Sequence, residues 1–242
     1  MKLAIMQPYF FPYLGYFQLI HAVDKCILYD NVNYIKKGWV NRNRLLEMNK
    51  TPVYIYLPLK QSSSNKLIKE IEIDNTKPWK TTFLKIIEHN YKRSNFFEEV
   101  YPIIKDIIMF DEANLSRFNY NLLKTICTEL KIEMRLYFKS EEYEQIEMEI
   151  CNEDKFYRMH SRIIEICKYE KAETYVNPIG GQELYNKKYF GSYGIELLFL
   201  NTQEYHYEQN SREYFDHLSI IDVLMNCGKE KTIRMLGRYD LV

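Results

Sequence analysis

The sequence predicts an α/β fold with a Rossmann-like, mostly parallel sheet flanked by helices, and three observations carry that prediction. Short apolar runs recur along the chain at Leu3 to Met6, Cys26 to Tyr29, 134 to 138, 174 to 176 and 195 to 200. Stretches with helical spacing of apolar residues separate them. Between the first two runs, Leu14, Phe17, Gln18 and His21 fall at i, i+3, i+4 and i+7 on one helical face. A strand, helix, strand unit implies a parallel pair with a right-handed crossover.

In order, residues 3–6 read as the first strand, and Pro12 is tolerated in the first turn of the helix that follows. CILY is the second strand, closed by Asp30 and Asn31. Alternation of Val53, Ile55, Leu57 and Leu59 with Tyr54, Tyr56 and Pro58 predicts a strand, and KEIEID (69–74) another. Three helical faces follow: Phe83, Ile86, Ile87 and Tyr91; Phe97 to Ile108; and Phe118 to Leu130. They mark a helical subdomain at about 79–130 within a single domain spanning 1–242. The acidic stretch 141–150 reads as a connection or exposed helix, 156–167 as a helix, and 219–227 and 229–237 as two short helices broken at Gly228.

Composition bounds the function. The 242 residues carry 33 Lys plus Arg against 33 Asp plus Glu, so no global field draws in nucleic acid or an anionic membrane. Any anionic ligand needs a local cluster. The apolar start contains Pro8 and Pro12 and ends at His21 and Asp24, so it is neither a secretory signal nor a span. A cytoplasmic protein without a membrane span is expected. Five scattered cysteines lack metal or redox spacing and read as small buried hydrophobes, with a catalytic thiol at Cys26 or Cys227 as the alternative. The five histidines show no metal-ligand spacing, so no metal site is predicted. No cofactor is named by any motif: P-loop, G-x-S-x-G, H-E-x-x-H and G-x-G-x-x-G are all lacking.

Chemistry concentrates in loops at the carboxyl ends of the predicted strands, where open parallel sheets bind ligands. The first is QPYFFPYLGYF (7–17), with Gln7 at the strand end and Tyr9 and Tyr13 over a pocket beside a helix N-terminus. The second, DNVNYIKKGWVNRNR (30–44), is the densest polar cluster. It offers Asn33, Lys36, Lys37, Trp39 and Arg42 to a ligand, amides reading hydroxyls and arginine forking onto phosphate. The third, NPIGGQELY (177–185), carries Gly180 and Gly181, suited to a close backbone approach or a tight turn. The fourth is YHYEQ (205–209), ending at Gln209. Ser219 and Asp222 are spaced as a capping box, which leaves Asp222 structural or catalytic. His21 is either a satisfied core histidine or a base near the pocket.

Taken together, QPYFFPYLGYF, DKCILYDNVNYIKKGWVNRNR, YVNPIGGQELY, YEQ and LSIIDVLMNCG resemble the WbqC-like family from Met1 to about Gly228. Where that family has Tyr-Pro-Gln, this chain has Tyr207-Glu208-Gln209. The resemblance implies an enzyme of O-antigen or related surface-polysaccharide biosynthesis. It would transfer an amino acid, glycine being the proposal, or another acyl group to the amine of a nucleotide-linked amino sugar. The donor would be a thioester, an adenylate or an aminoacyl-tRNA, the last being the one nucleic-acid partner left open. The attacking amine must be neutral, which calls for a base, His21 or Asp30, and for oxyanion donors, Asn41 or Asn43. A fainter likeness to the H-x-G-H nucleotidyltransferases places Tyr13 and Tyr16 where both histidines stand, making adenylation an alternative, alongside a non-catalytic sugar-nucleotide-binding role. The site expectation is that Gln7 shares one pocket with Asp30, Asn33, Lys36, Asn41 and Arg42.

Overall fold

The computed structural model describes residues 1–47, 51–133, 135–203, 205–209, 211 and 213–242, and the side chains of Lys155 and Phe156 lie outside that description. Its elements run β1 (Lys2–Met6), α1 (Leu14–Ala22), β2 (Lys25–Leu28), β3 (Arg42–Leu46), β4 (Pro52–Tyr56), β5 (Leu59–Lys60), β6 (Glu72–Ile73), α2 (Trp79–Tyr91), α3 (Phe97–Met109) and α4 (Leu115–Glu129). They continue as β7 (Leu136–Phe138), α5 (Glu144–Ile150), α6 (Lys155–Tyr169), β8 (Thr174–Pro178), α7 (Lys187–Gly191), β9 (Glu196–Thr202), α8 (Ile220–Leu236) and β10 (Tyr239–Leu241).

A six-stranded sheet in the order β10-β9-β8-β1-β2-β7 forms the centre, parallel except for the edge strand β10. As the connection rule requires, β1 and β2 are adjacent and parallel, with Leu3 opposite Lys25 and Met6 opposite Leu28. The chain builds outward from β1 to β2 and β7 on one side, and through β8 and β9 on the other. The topological switch point therefore lies between β1 and β8.

Period-two alternation splits the strand side chains between two buried layers. Ala4, Cys26, Leu28 and Val176 enter one core with α1, α2, α3, α4 and α8, whereas Leu3, Ile5, Ile27 and Tyr175 enter another beneath α5, α6 and α7. Helices α2 to α4 share their core with β1 and β2 rather than keeping one of their own.

Several elements differ from the sequence reading. The polar stretch up to Arg44, read as loop, ends in β3, which pairs antiparallel with β4 as a separate hairpin. The segment 69–74 keeps only Glu72–Ile73 as strand; Ile68–Glu70 forms a 3₁₀ turn, closed by Glu70 N–H on the Leu67 carbonyl at 3.0 Å and Ile71 N–H on that of Ile68 at 3.1 Å. Met134, included in a predicted strand, lies outside the described residues. The two C-terminal helices meet at Gly228, whose φ of 67° breaks α8.

Candidate functional site

The loop after β1 is held by donors from α1, β3, α4 and the start of α8. Tyr16 hydroxyl donates to the Gln7 carbonyl at 2.7 Å, and the Asn119 amide to those of Pro8 at 2.8 Å and Val40 at 2.7 Å. Asn43 Nδ2 donates to the carbonyls of Phe10 at 3.0 Å and Phe11 at 2.7 Å. Ser219 hydroxyl also reaches the Phe11 carbonyl, at 2.8 Å, and Ile220 N–H reaches that of Pro12, at 2.9 Å. A buried loop must place its carbonyls somewhere, and these side chains are the answer. They also hold Phe11 in the left-handed region, at φ 40°, its ring stacked on Phe83. Such strain costs about 1–3 kcal/mol and persists only where the surroundings over-determine it.

A second left-handed residue lies close by. His217, at φ 55°, is two residues before Ser219, which caps α8 and bonds Phe11. Its exposed ring meets the edge of Tyr13 at 5.1 Å between centroids. Arg44 Nη2 donates to the Asp216 carbonyl at 2.9 Å, tying this turn to β3. Burial pushes the Tyr13 phenol up to about 12, with Tyr9 adding to it, and burial also raises Tyr9 and Tyr205. These phenols stay neutral donors.

Along β3, Asn43 and Leu45 point inward while Arg42 and Arg44 point outward beside Tyr56 and Tyr54 of β4. Arg42 lies over the Tyr54 ring at 4.4 Å and over Trp39 at 5.5 Å. Trp39, Tyr54 and Tyr56 form a ring series that remains 36%, 45% and 53% exposed. The Nε atoms of both arginines are buried without a hydrogen-bond partner, and among the described residues no carboxylate pairs with either guanidinium. An arc of aromatic rings and cations thus runs from Trp39 through Arg42, Tyr54 and Arg44 to His217 and Tyr13.

The other predicted residues fall as follows. Gln7 follows β1 directly, half-buried, and its side-chain amide has no partner among the described residues; Lys36 and Lys37 are exposed on the turn leading to Trp39. Asp30 is buried and accepts from the Ser140 hydroxyl, while Asn33 donates to the Ser64 carbonyl at 3.0 Å. Segment 64–70 lies against both: Lys69 N–H bonds the Asp30 carbonyl at 3.1 Å, and Asn33, itself exposed, forms an antiparallel bridge with Leu67. Neither predicted oxyanion donor has its amide to spare. Asn41 bonds the Leu57 carbonyl at 3.2 Å and accepts from Tyr34 at 2.8 Å, and Asn43 holds the aromatic loop.

His21 ends α1 at the opposite edge of the sheet, exposed, its carbonyl bonded by Arg135 just before β7. It is neither a core histidine nor near this site, because a crossover helix runs back from the carboxyl edge. Partial burial and Arg135 hold its ring below the usual histidine range. Gln209 clasps its own loop, its amide donating to the Phe215 carbonyl at 2.8 Å and accepting from Phe215 N–H at 2.9 Å. Gly181 is buried where a Cβ would sit 2.9 Å from Asn177, whereas Gly180 is open to solvent. Asp222 accepts from the hydroxyls of Tyr91 and Tyr207, each at 2.7 Å, and burial raises its pKa. It does not complete a capping box, since Ser219 N–H bonds the Arg44 carbonyl instead. Burial pushes the Cys26 thiol far up and Cys227 up to about 11, which removes both as thiolates near neutral pH; Cys151, expected to be buried, is exposed.

The WbqC-like protein family model matches residues 7–234. The chain belongs to the WbqC-like family. An uncharacterized protein of Mycobacterium tuberculosis, Rv1507c, is similar: 29% identical over 232 residues, covering 95% of each chain. No solved structure matches significantly. The match includes Gln7, Tyr13, Arg42, Arg44 and His217 of this WbqC-like chain, so the whole arc lies within the family region. Arg44 stood in the polar cluster 30–44 and Tyr54 in a predicted strand, but neither was singled out as a site residue, and nor was His217. Alternation with Val53 and Ile55 was a usable signal for Tyr54; Arg44, preceded by Asn43, had only its place in the cluster, and His217 had none.

Proposed function

We propose that this WbqC-like protein is a transferase that adds an amino acid or other acyl group to the amine of a nucleotide-linked amino sugar in surface-polysaccharide assembly, such as that of O-antigen. The observation that carries the reading is the pair of unneutralised arginines on β3, set among exposed aromatic rings and continuous with the Tyr13–His217 turn. Guanidinium forks suit a diphosphate and ring faces suit a base or a pyranose. Gln7, at the carboxyl end of β1 beside the switch point, supplies an amide donor for the sugar or the acyl carbonyl. The adenylating alternative is disfavoured: Tyr16 is fully buried with its hydroxyl bonded to the Gln7 carbonyl, so it reaches no phosphate.

Mass spectrometry tests the reading. UDP-, dTDP- and GDP-linked amino deoxyhexoses are incubated with glycyl thioester, glycyl adenylate or glycyl-tRNA. A product heavier by the acyl group is expected. Release of pyrophosphate from a nucleoside triphosphate supports the adenylating alternative, and binding without turnover supports a carrier role.

A further inference from the structure

We infer that His217 is the base that takes the proton from the sugar amine as it is acylated. The inference rests on the transferase reading above. In the step, the amine nitrogen attacks the acyl carbonyl carbon of a thioester or ester donor. The C–N bond forms and the bond to the sulfur or oxygen leaving group breaks. The proton shed by nitrogen passes to the His217 imidazole, which returns it to the leaving group, so atoms and charge balance.

Position singles this residue out from the other histidines. His21 is at the opposite edge of the sheet, and His160 is buried among Tyr185, Tyr189 and Phe190 on the other face. His89 lies on the exposed side of α2, and His206 packs on Tyr214 at 4.6 Å. His217 alone among the described histidines stands exposed against the loop after β1, perpendicular to Tyr13. Its backbone is left-handed, at φ 55°, in a turn that Arg44 Nη2 reaches at the carbonyls of Asp216 and His217. In this turn the imidazole meets the Tyr13 ring at 5.1 Å while Arg44 holds the preceding carbonyl. Among the described residues, the ionisable groups near it are the neutral Tyr13 phenol, the Arg44 guanidinium from β3 and the Asp216 carboxylate, with the Tyr205 phenol beside Tyr13 and Asp216. The titratable group at the start of α8 is Asp222, whose carboxylate accepts from Tyr91 and Tyr207. The Arg44 guanidinium of β3 and the His217 imidazole are thus neighbours, joined through the turn that Arg44 bonds.

NMR of the full-length protein tests this without knowing the donor. The His217 ring resonance is assigned by its loss in His217→Asn, chosen because asparagine tolerates a left-handed backbone. Its titration is followed with UDP-, dTDP- and GDP-linked 3-amino and 4-amino deoxyhexoses, and with the matching hydroxy sugars, binding being registered by calorimetry. The expected result is a lower titration midpoint with an amino sugar than with its hydroxy counterpart, because a cationic amine alongside penalises the imidazolium. If both sugars bind and leave the His217 resonance alike, the base assignment is overturned while the binding site stands. If no nucleotide sugar binds, both readings fall.

Discussion

Arg42 and Asn43 are consecutive on β3, and the pleat gives them opposite roles. Arg42 rests on Tyr54 at the surface with an unpartnered Nε, so its loss leaves the fold intact and removes a charged fork. For Arg42→Ala we expect nucleotide-sugar affinity to fall roughly tenfold to a hundredfold, as for a hydrogen bond to a charged group. Melting temperature should hardly change, and Arg42→Lys should fail to restore binding because lysine has no fork. Calorimetry and a thermal melt read the two effects; unfolding of Arg42→Ala would make the residue structural. Asn43 faces inward and bonds two carbonyls of the strained loop. Asn43→Ala strands the buried Phe10 carbonyl, so stability should drop by about 1–3 kcal/mol in urea titration. An unchanged midpoint would show that the loop is not held this way.

Helix α8 is divided at Gly228, whose φ of 67° suits glycine and where a Cβ would lie 2.5 Å from the Phe96 ring. Gly228→Ala combines a left-handed alanine with that clash, and we expect a loss of more than about 1 kcal/mol in a thermal or urea melt. The break lets the first half of α8 present Ser219 and Ile220 to Phe11 and Pro12 while the second half reaches the Gln18 amide through the Met235 carbonyl, at 2.9 Å. The β3–β4 hairpin shows how an element can be concealed. Arg42, Asn43 and Arg44 read as a polar loop because only Leu45 and Leu46 are apolar, yet Asn43 is buried by hydrogen bonds rather than by hydrophobicity.

Across the molecule, tyrosine is a main constituent of the buried layers and of the site. The chain has 22, and burial raises the phenols of Tyr16, Tyr91, Tyr175 and Tyr207, Asp222 adding to the effect at Tyr91 and Tyr207. A phenol whose folded pKa is raised contributes stability that is complete below its unfolded value of 10 and lost as pH climbs toward the folded value. The protein should therefore keep its fold to about pH 10 and unfold cooperatively above it, with tyrosinate absorbance and loss of circular dichroism rising together. Separate transitions, with most phenols ionising before the fold is lost, would contradict the burial assigned to them. Among the described residues no helix is long and apolar enough to cross a membrane.

Local pattern was enough for the strand, helix, strand opening, the parallel pairing of β1 and β2, the helices α2, α3, α4 and α6, and the break at Gly228, because each rests on near-neighbour spacing or on one glycine. The family was legible too, since its motifs are contiguous. The site was legible only in pieces. Polar composition alone cannot say whether an amide faces a ligand or a carbonyl, so Asn41, Asn43 and Gln209 looked like binding groups and are hydrogen-bond braces. His21 shares a helical stripe with core residues, but the direction of the crossover sends it to the far edge. His217 is 204 residues from Tyr13 in the chain, and the two meet because Ser219 and Ile220 bond the loop after β1. Contacts of that separation arise from how the layers close, which no local window of residues encodes.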